Sequence, residues 1–253
     1  MIRALSISIF MILMILKLPA QDNFKQMLDS AEYYYTNGSF NKSAVLYQAL
    51  VDTGFESAEL YYNLGNAYFK SNQLADAILY YEKASLLNPN DEDIKFNLEL
   101  SRSYLTDKIN KIPDFFLNRW IKSVRNLYNT NQWAIISISS FVILLTLIAL
   151  LIFSYKTFLR KLFFYMGILF LIISLSSLIF SIQQKNMIIN SDNAIIYSSV
   201  VTAKSSPDDL GVDLFIIHDG TKVRILQTKN EWIKIRLEDG KEGWILSSDV
   251  KRI

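Results

Sequence analysis

The order of apolar and polar positions divides this chain into three regimes. From Phe24 to about Asn110, apolar residues recur every three or four positions, the spacing of amphipathic helices. From Trp133 to Tyr155 and from Leu162 to Gln184 there is no polar face, and neither run holds an Asp, Glu, Lys, Arg or His. Beyond residue 190 the period falls to two, in Val223–Ile225 and again in Ile233–Ile235–Leu237. The pattern therefore predicts an all-α segment, a pair of wholly apolar helices and an all-β segment.

The helical regime contains a repeat. Residues 58–91 place Tyr61, Leu64, Gly65, Tyr68, Ala77, Tyr81, Ala84 and Pro89 at the positions of a tetratricopeptide repeat. Leu64 and Tyr68 make a core stripe on helix A, Gly65 and Ala77 let the two helices touch, and Pro89 stops helix B. A weaker copy covers 24–57, with Ala31, Tyr34, Gly38, Phe40, Ser43, Tyr47 and Leu50 at the matching offsets. Stacked repeats need a cap, and residues 92–108 read as that helix, with Asp91 as its N-cap. Such arrays hold partners on the inner face formed by positions 2, 5, 9 and 12 of helix A. Those positions are Glu59, Tyr62, Asn66 and Phe69 in the second repeat, and Lys25, Leu28, Glu32 and Tyr35 in the first.

Each apolar run is long enough to cross a hydrocarbon core of roughly 30 Å. The link between them, 156–161, is too short for anything but an antiparallel hairpin, so both flanking regions lie on one side of the membrane. Lys156, Arg160 and Lys161 place that link in the cytoplasm. Residues 1–20 read as a signal peptide: Arg3, an apolar run from Ala4 to Leu16, then Leu18-Pro19-Ala20. Cleaved or retained as an anchor, it sends the repeats to the periplasm. Gly167, Ser174 and Ser181 recur every seven residues in the second run, with Ser177 nearby and Ser137 and Ser140 in the first, a pattern for close helix contact.

Before the first run, residues 114–129 fit a helix whose Phe116, Leu117, Trp120, Ile121, Val124, Leu127 and Tyr128 share one arc, opposite Arg119, Lys122 and Arg125. A basic, aromatic amphipathic helix at that place lies in the lipid interface. Charge follows the same division. Residues 21–110 carry seven basic and thirteen acidic side chains (net −6), and residues 111–189 carry eight and one (net +7). The basic residues hug the membrane, and nothing points to nucleic acid.

The period-two regime, 190–253, predicts a small β-barrel, with Asp239-Gly240 as a tight turn. The stretch His218-Asp219-Gly220-Thr221-Lys222-Val223, followed by Trp232 and Gly243-Trp244-Ile245, resembles bacterial SH3-like domains. Trp244 is expected in the core; Tyr197 with Trp232 is a candidate ligand face, the alternative for Trp232 being a core position.

The series of repeats, amphipathic helix, apolar hairpin and SH3-like domain is similar to the BatE family of the Bacteroides aerotolerance operon, as is Lys204-Ser205-Ser206-Pro207 ahead of Phe215 and His218-Asp219-Gly220. The resemblance implies an inner-membrane protein working beside von Willebrand factor A-domain membrane proteins and a MoxR-type ATPase.

Catalysis is not expected. His218 is the sole histidine, there is no cysteine for a nucleophile, metal ligand or disulfide, and the eight glycines form no phosphate loop. No metal or cofactor is implied. The expected protein is thus a multi-domain membrane protein with an all-α repeat array, a two-helix transmembrane hairpin and an all-β SH3-like barrel. It is read as an inner-membrane scaffold or assembly protein with periplasmic modules. The alternative is a membrane protein that binds peptidoglycan.

Overall fold

The computed structural model describes residues 19–110, 112–113 and 115–253. The signal segment falls mostly on residues 1–18, outside the described residues. Five helices come first: α1 (Pro19–Thr36), α2 (Phe40–Asp52), α3 (Ala58–Lys70), α4 (Leu74–Leu87) and α5 (Glu92–Ser103). They pack as the pairs α1/α2 and α3/α4, with α5 against α4. Ser57 caps α3 by accepting from the Leu60 amide (3.0 Å), and Asp91 caps α5 by accepting from Asp93 and Ile94 (both 3.1 Å). The cap helix ends at Ser103 rather than at 108.

Contact within a repeat depends on small residues at fixed positions. At Gly65 a Cβ would stand 2.7 Å from the Tyr81 ring, so α3 and α4 approach as closely as they do only because no side chain intervenes. In the first repeat Ala31 and Ser43 take the equivalent places, and the buried Ser43 hydroxyl donates to the Ala31 carbonyl (2.8 Å). The first repeat thus replaces apolar contact by a hydrogen bond.

Helix α6 (Phe116–Arg125) is shorter than the predicted 114–129, and its Phe116, Leu117 and Trp120 are exposed. Helices α7 (Thr130–Phe153) and α8 (Thr157–Ile189) are long and apolar enough to cross a membrane. Only residues 154–156 join them, because Arg160 and Lys161, expected in the link, lie in the first turns of α8. The serine stripes meet. Ser137 Oγ donates to the Ser174 carbonyl (2.9 Å) and Ser174 Oγ to the Ser137 carbonyl (3.1 Å), while Ser181 Oγ reaches the Thr130 carbonyl (3.0 Å). At the α6–α7 corner, Trp133 Nε1 donates to the Arg125 carbonyl (2.7 Å).

Seven antiparallel strands follow: β1 (Asn193–Ile196), β2 (Val200–Lys204), β3 (Asp213–His218), β4 (Lys222–Lys229), β5 (Trp232–Arg236), β6 (Glu242–Leu246) and β7 (Val250–Arg252). Their order is β3-β2-β6-β5-β4-β1-β7, so the sheet has two edges, β3 and β7, and does not close into the expected barrel. Irregular register at Ala203/Lys204 and at Ile225/Gln227 bends it around a core of Ala194, Ile196, Val201, Val223, Ile233, Ile235 and Ile245. Trp244 is outside that core. Alternation along β6 turns Gly243 and Ile245 inward and leaves Trp244 half-buried on the other face, so its expected core role is corrected.

Replacing Gly65 by Ala forces the Tyr81 ring aside and should lower stability by about 1–3 kcal/mol. Gly167→Ala, whose Cβ would meet Leu144 at an ordinary 3.6 Å, should be nearly neutral. Helical circular dichroism melts of the detergent-solubilised chain compare the two. Equal melting temperatures would overturn the close α3–α4 contact.

Candidate partner-binding site

The inner face of the repeats is a cavity of about 280 Å³ lined by Leu28, Glu32, Tyr35, Thr36, Tyr47, Glu59, Asn63 and Asn66. Of the residues expected there, Tyr35, Glu59 and Asn66 are thus brought together, with Leu28 and Glu32 of the first repeat. Tyr62 and Phe69 do not line it. The Tyr62 hydroxyl accepts from Asn97 (2.9 Å) and Phe69 packs edge-on against Tyr104 (5.9 Å between ring centroids), so α5 and the residue after it engage both. A cap helix that folds over the end of the groove was legible in the sequence as a helix, but not as a lid on those two side chains.

Two carboxylates, Glu32 and Glu59, give the cavity its electrostatic sign. Burial, then the negative charge of Glu32 and Glu59 together with Tyr35, pushes the Tyr47 phenol up to about 12. Asn66 Oδ1 accepts from the Tyr81 hydroxyl (2.6 Å) and from Asn97 (3.2 Å). This fixes the side chain and leaves its amide donors uncommitted. Apolar walls, two acids and an oriented amide suit a peptide segment that brings a Lys or Arg side chain.

The sheet docks on the other helix of the second repeat. From α4, Asp76 accepts from the Tyr197 hydroxyl (3.0 Å) and from Lys251 Nζ (3.2 Å), whose ammonium lies 3.5 Å from the Tyr197 ring centroid. Glu82, also on α4, accepts from Lys222 Nζ (2.7 Å) and from the Arg102 guanidinium of α5. After α5, Asp107 accepts from the His218 amide (2.7 Å) and the Thr221 hydroxyl (3.0 Å), with His218 Nδ1 at 2.9 Å. Ile195 of β1 is fully buried in the repeat core. Gly220, at φ +80°, sits against Leu105 and Ile78 where no side chain would fit. The solitary histidine thus joins the sheet to the helical array rather than serving only to order its own loop.

Tyr197 is committed to this seam, and among the described residues no contact joins it to Trp232. Trp232 lies instead on the face of the β5–β6 pair that carries Lys234, Trp244 and Leu246, with Trp232 opposite Leu246 and Lys234 opposite Trp244. The aromatic pair on the sheet is therefore Trp232 and Trp244. The period-two pattern contained this signal, since both tryptophans fall on outward positions.

Burial by itself would raise the Glu82 carboxyl; the Lys222 and Arg102 charges outweigh it and hold the group below its ordinary value. Asp107 is likewise lowered, with burial opposed by hydrogen bonds from His218 and Thr221. Both native values lie below the undocked ones. Their stabilisation is therefore complete above the ordinary carboxylate range and lost as pH falls through the depressed values. Cysteines introduced at Glu99 and Lys229 can be spin-labelled uniquely, because the chain has none of its own. The label distance should be narrow at pH 7 and broaden below about pH 4. Glu82→Gln, which strands two cations, should cost about 2–4 kcal/mol and broaden it at neutral pH. A narrow distribution under both conditions would show that these carboxylates do not hold the domains together.

Comparison with known families gives two matches. Residues 58–91 match the tetratricopeptide repeat, the unit built by α3 and α4, and residues 213–251 match the bacterial SH3 domain, from β3 to the start of β7. A comparison with curated proteins returned no match. The chain therefore combines a tetratricopeptide repeat and a bacterial SH3 domain, both of them types of module that bind proteins or the cell wall, with two helices apolar enough to span a membrane.

Proposed function

We propose that this protein is a membrane-anchored scaffold whose repeat groove holds a basic, partly apolar segment of a partner protein. The carrying observation is the cavity in which Glu32 and Glu59 stand beside Leu28, Tyr35 and Tyr47. In this reading α7 and α8 span the inner membrane, α6 lies in the interface, and the repeats and sheet face the periplasm. The scaffold works in a Bat-type assembly, and von Willebrand factor A-domain membrane proteins are its partners. Support comes from the order of the modules and from the acidic groove, which complements a basic segment. The protein performs no chemistry of its own in this reading.

A second reading rests on the outward pair Trp232 and Trp244, an aromatic surface suited to sugar rings or to stem peptides of peptidoglycan. The two readings use different faces. Glu32→Gln with Glu59→Gln should reduce co-purification of membrane partners several-fold while leaving sedimentation with purified cell-wall sacculi intact. Trp232→Ala with Trp244→Ala should do the reverse if the sheet binds the wall. Partner recovery that is insensitive to the groove substitutions would overturn the first reading.

Protease added to spheroplasts should digest 21–130 and 186–253 and spare the link near Arg160. Protection of the repeats would overturn the orientation.

A further inference from the structure

The chain segments that enter and leave the apolar helices meet beneath the sheet. Ile112, Pro113 and Phe115 precede α6, and Asn193 opens β1 four residues past Ile189, the end of α8. Between them is a cavity of about 580 Å³ whose charged and amide groups are Lys122, Asn193, Lys222, Arg224, Arg236 and Glu238. Its position relative to the spans follows from Gln184. That side chain donates to the Arg125 and Tyr128 carbonyls (2.9 and 2.8 Å), which fixes it level with the α6–α7 corner. Past Gln184, α8 continues five residues to Ile189, a rise of about 7.5 Å that matches a headgroup layer roughly 5–8 Å deep, and Asn193 follows four residues on. The cavity therefore runs from Lys122 on the interfacial helix up through the headgroup layer to the sheet.

Among its described lining residues four cations accompany one carboxylate, Glu238. Arg224 lies in register with Arg236 on β5, and like charges directly opposite destabilise a sheet. Glu242 accepts from Arg236 Nε (2.8 Å) and Glu82 holds Lys222, but neither carboxylate lines the cavity. Lys122 and Glu238 are each engaged by partners of their own. The Arg224 side chain, exposed on the strand, has no hydrogen bond or ion pair among the described residues. Alternation along β4 keeps Lys222 and Arg224 on one face; Lys222 reaches across to Glu82 of the seam, and Arg224, two residues on, lines this cavity.

We infer that the cavity binds a phosphate group, presented as the phosphodiester of an anionic lipid in the leaflet on which α6 lies. A guanidinium fork matches two phosphate oxygens, Asn193 adds the amide donor that its bond to Ser191 leaves over, and the exposed Phe115 in the lining provides apolar area for the glycerol and acyl ends. The inference rests on the membrane reading of α7 and α8.

The test is native mass spectrometry of the full chain released from nanodiscs of mixed phosphatidylglycerol and phosphatidylcholine, with inorganic phosphate added to neutral detergent micelles as a separate arm. Wild type should retain phosphatidylglycerol selectively, and Arg224→Gln should lower that selectivity about fivefold, the effect of one basic group at an anionic surface. Lys229→Gln removes the same charge elsewhere on β4 and should change nothing. Equal losses in the two variants, or no selectivity in wild type, would overturn the site. Phosphate bound from solution with the same Arg224 dependence and no lipid retained would keep the phosphate site and overturn the lipid source. A chain that fails to enter nanodiscs would instead overturn the membrane reading.

Discussion

One buried carboxylate joins the parts of this molecule. Glu82 projects from α4 away from the repeat core and is held by Arg102 of the cap and Lys222 of the sheet. Such a triad adds little net stability over an apolar contact, because desolvation consumes most of the attraction. Its effect is directional. A carboxylate removed from water must find both cations, and only one placement of the sheet against α4 and α5 supplies them. Asp76 and Asp107 repeat the arrangement on either side, so three acids of the helical domain receive donors from the strands.

This seam lets α4 serve two surfaces. Tyr81 faces inward onto Gly65 and donates to Asn66, which orients a groove residue. Asp76 and Glu82, on the same helix, face the sheet. The groove draws its lining from α1, α2 and α3, so docking of the sheet on α4 leaves the acidic cavity unobstructed while tying the second repeat to the sheet. The groove is therefore fixed in place relative to the sheet.

Between the two apolar helices the same economy appears in the serines. Reciprocal hydroxyl-to-carbonyl bonds between Ser137 and Ser174 draw α7 and α8 together at a point where larger side chains would separate them. Gln184 and Trp133 then close the α6–α7 corner through the Arg125 and Tyr128 carbonyls, and this sets the angle at which α6 leaves the pair.

Much of this follows from local pattern. The spacing of Leu64, Gly65 and Tyr81 specifies a helix pair because only a residue without a side chain admits that ring, and the serine periodicity marks the faces on which two apolar helices meet. Asp91 and Pro89 bound helices by hydrogen-bonding and steric rules that act within a few residues. Alternation near Gly243 places one tryptophan outward, a reading that residue type alone reverses, since a tryptophan beside glycine resembles a core residue. What the tertiary structure decided involves partners far apart in the chain. That α5 covers Tyr62 and Phe69, that Tyr197 serves the seam rather than a ligand, and that His218 answers Asp107 all depend on contacts across 35 to 121 residues. A sequence records which side chains can form ion pairs and hydrogen bonds, but the fold chooses among the many acids and bases that could meet. Burial makes that choice binding, because a carboxylate withdrawn from water cannot be left without its cation.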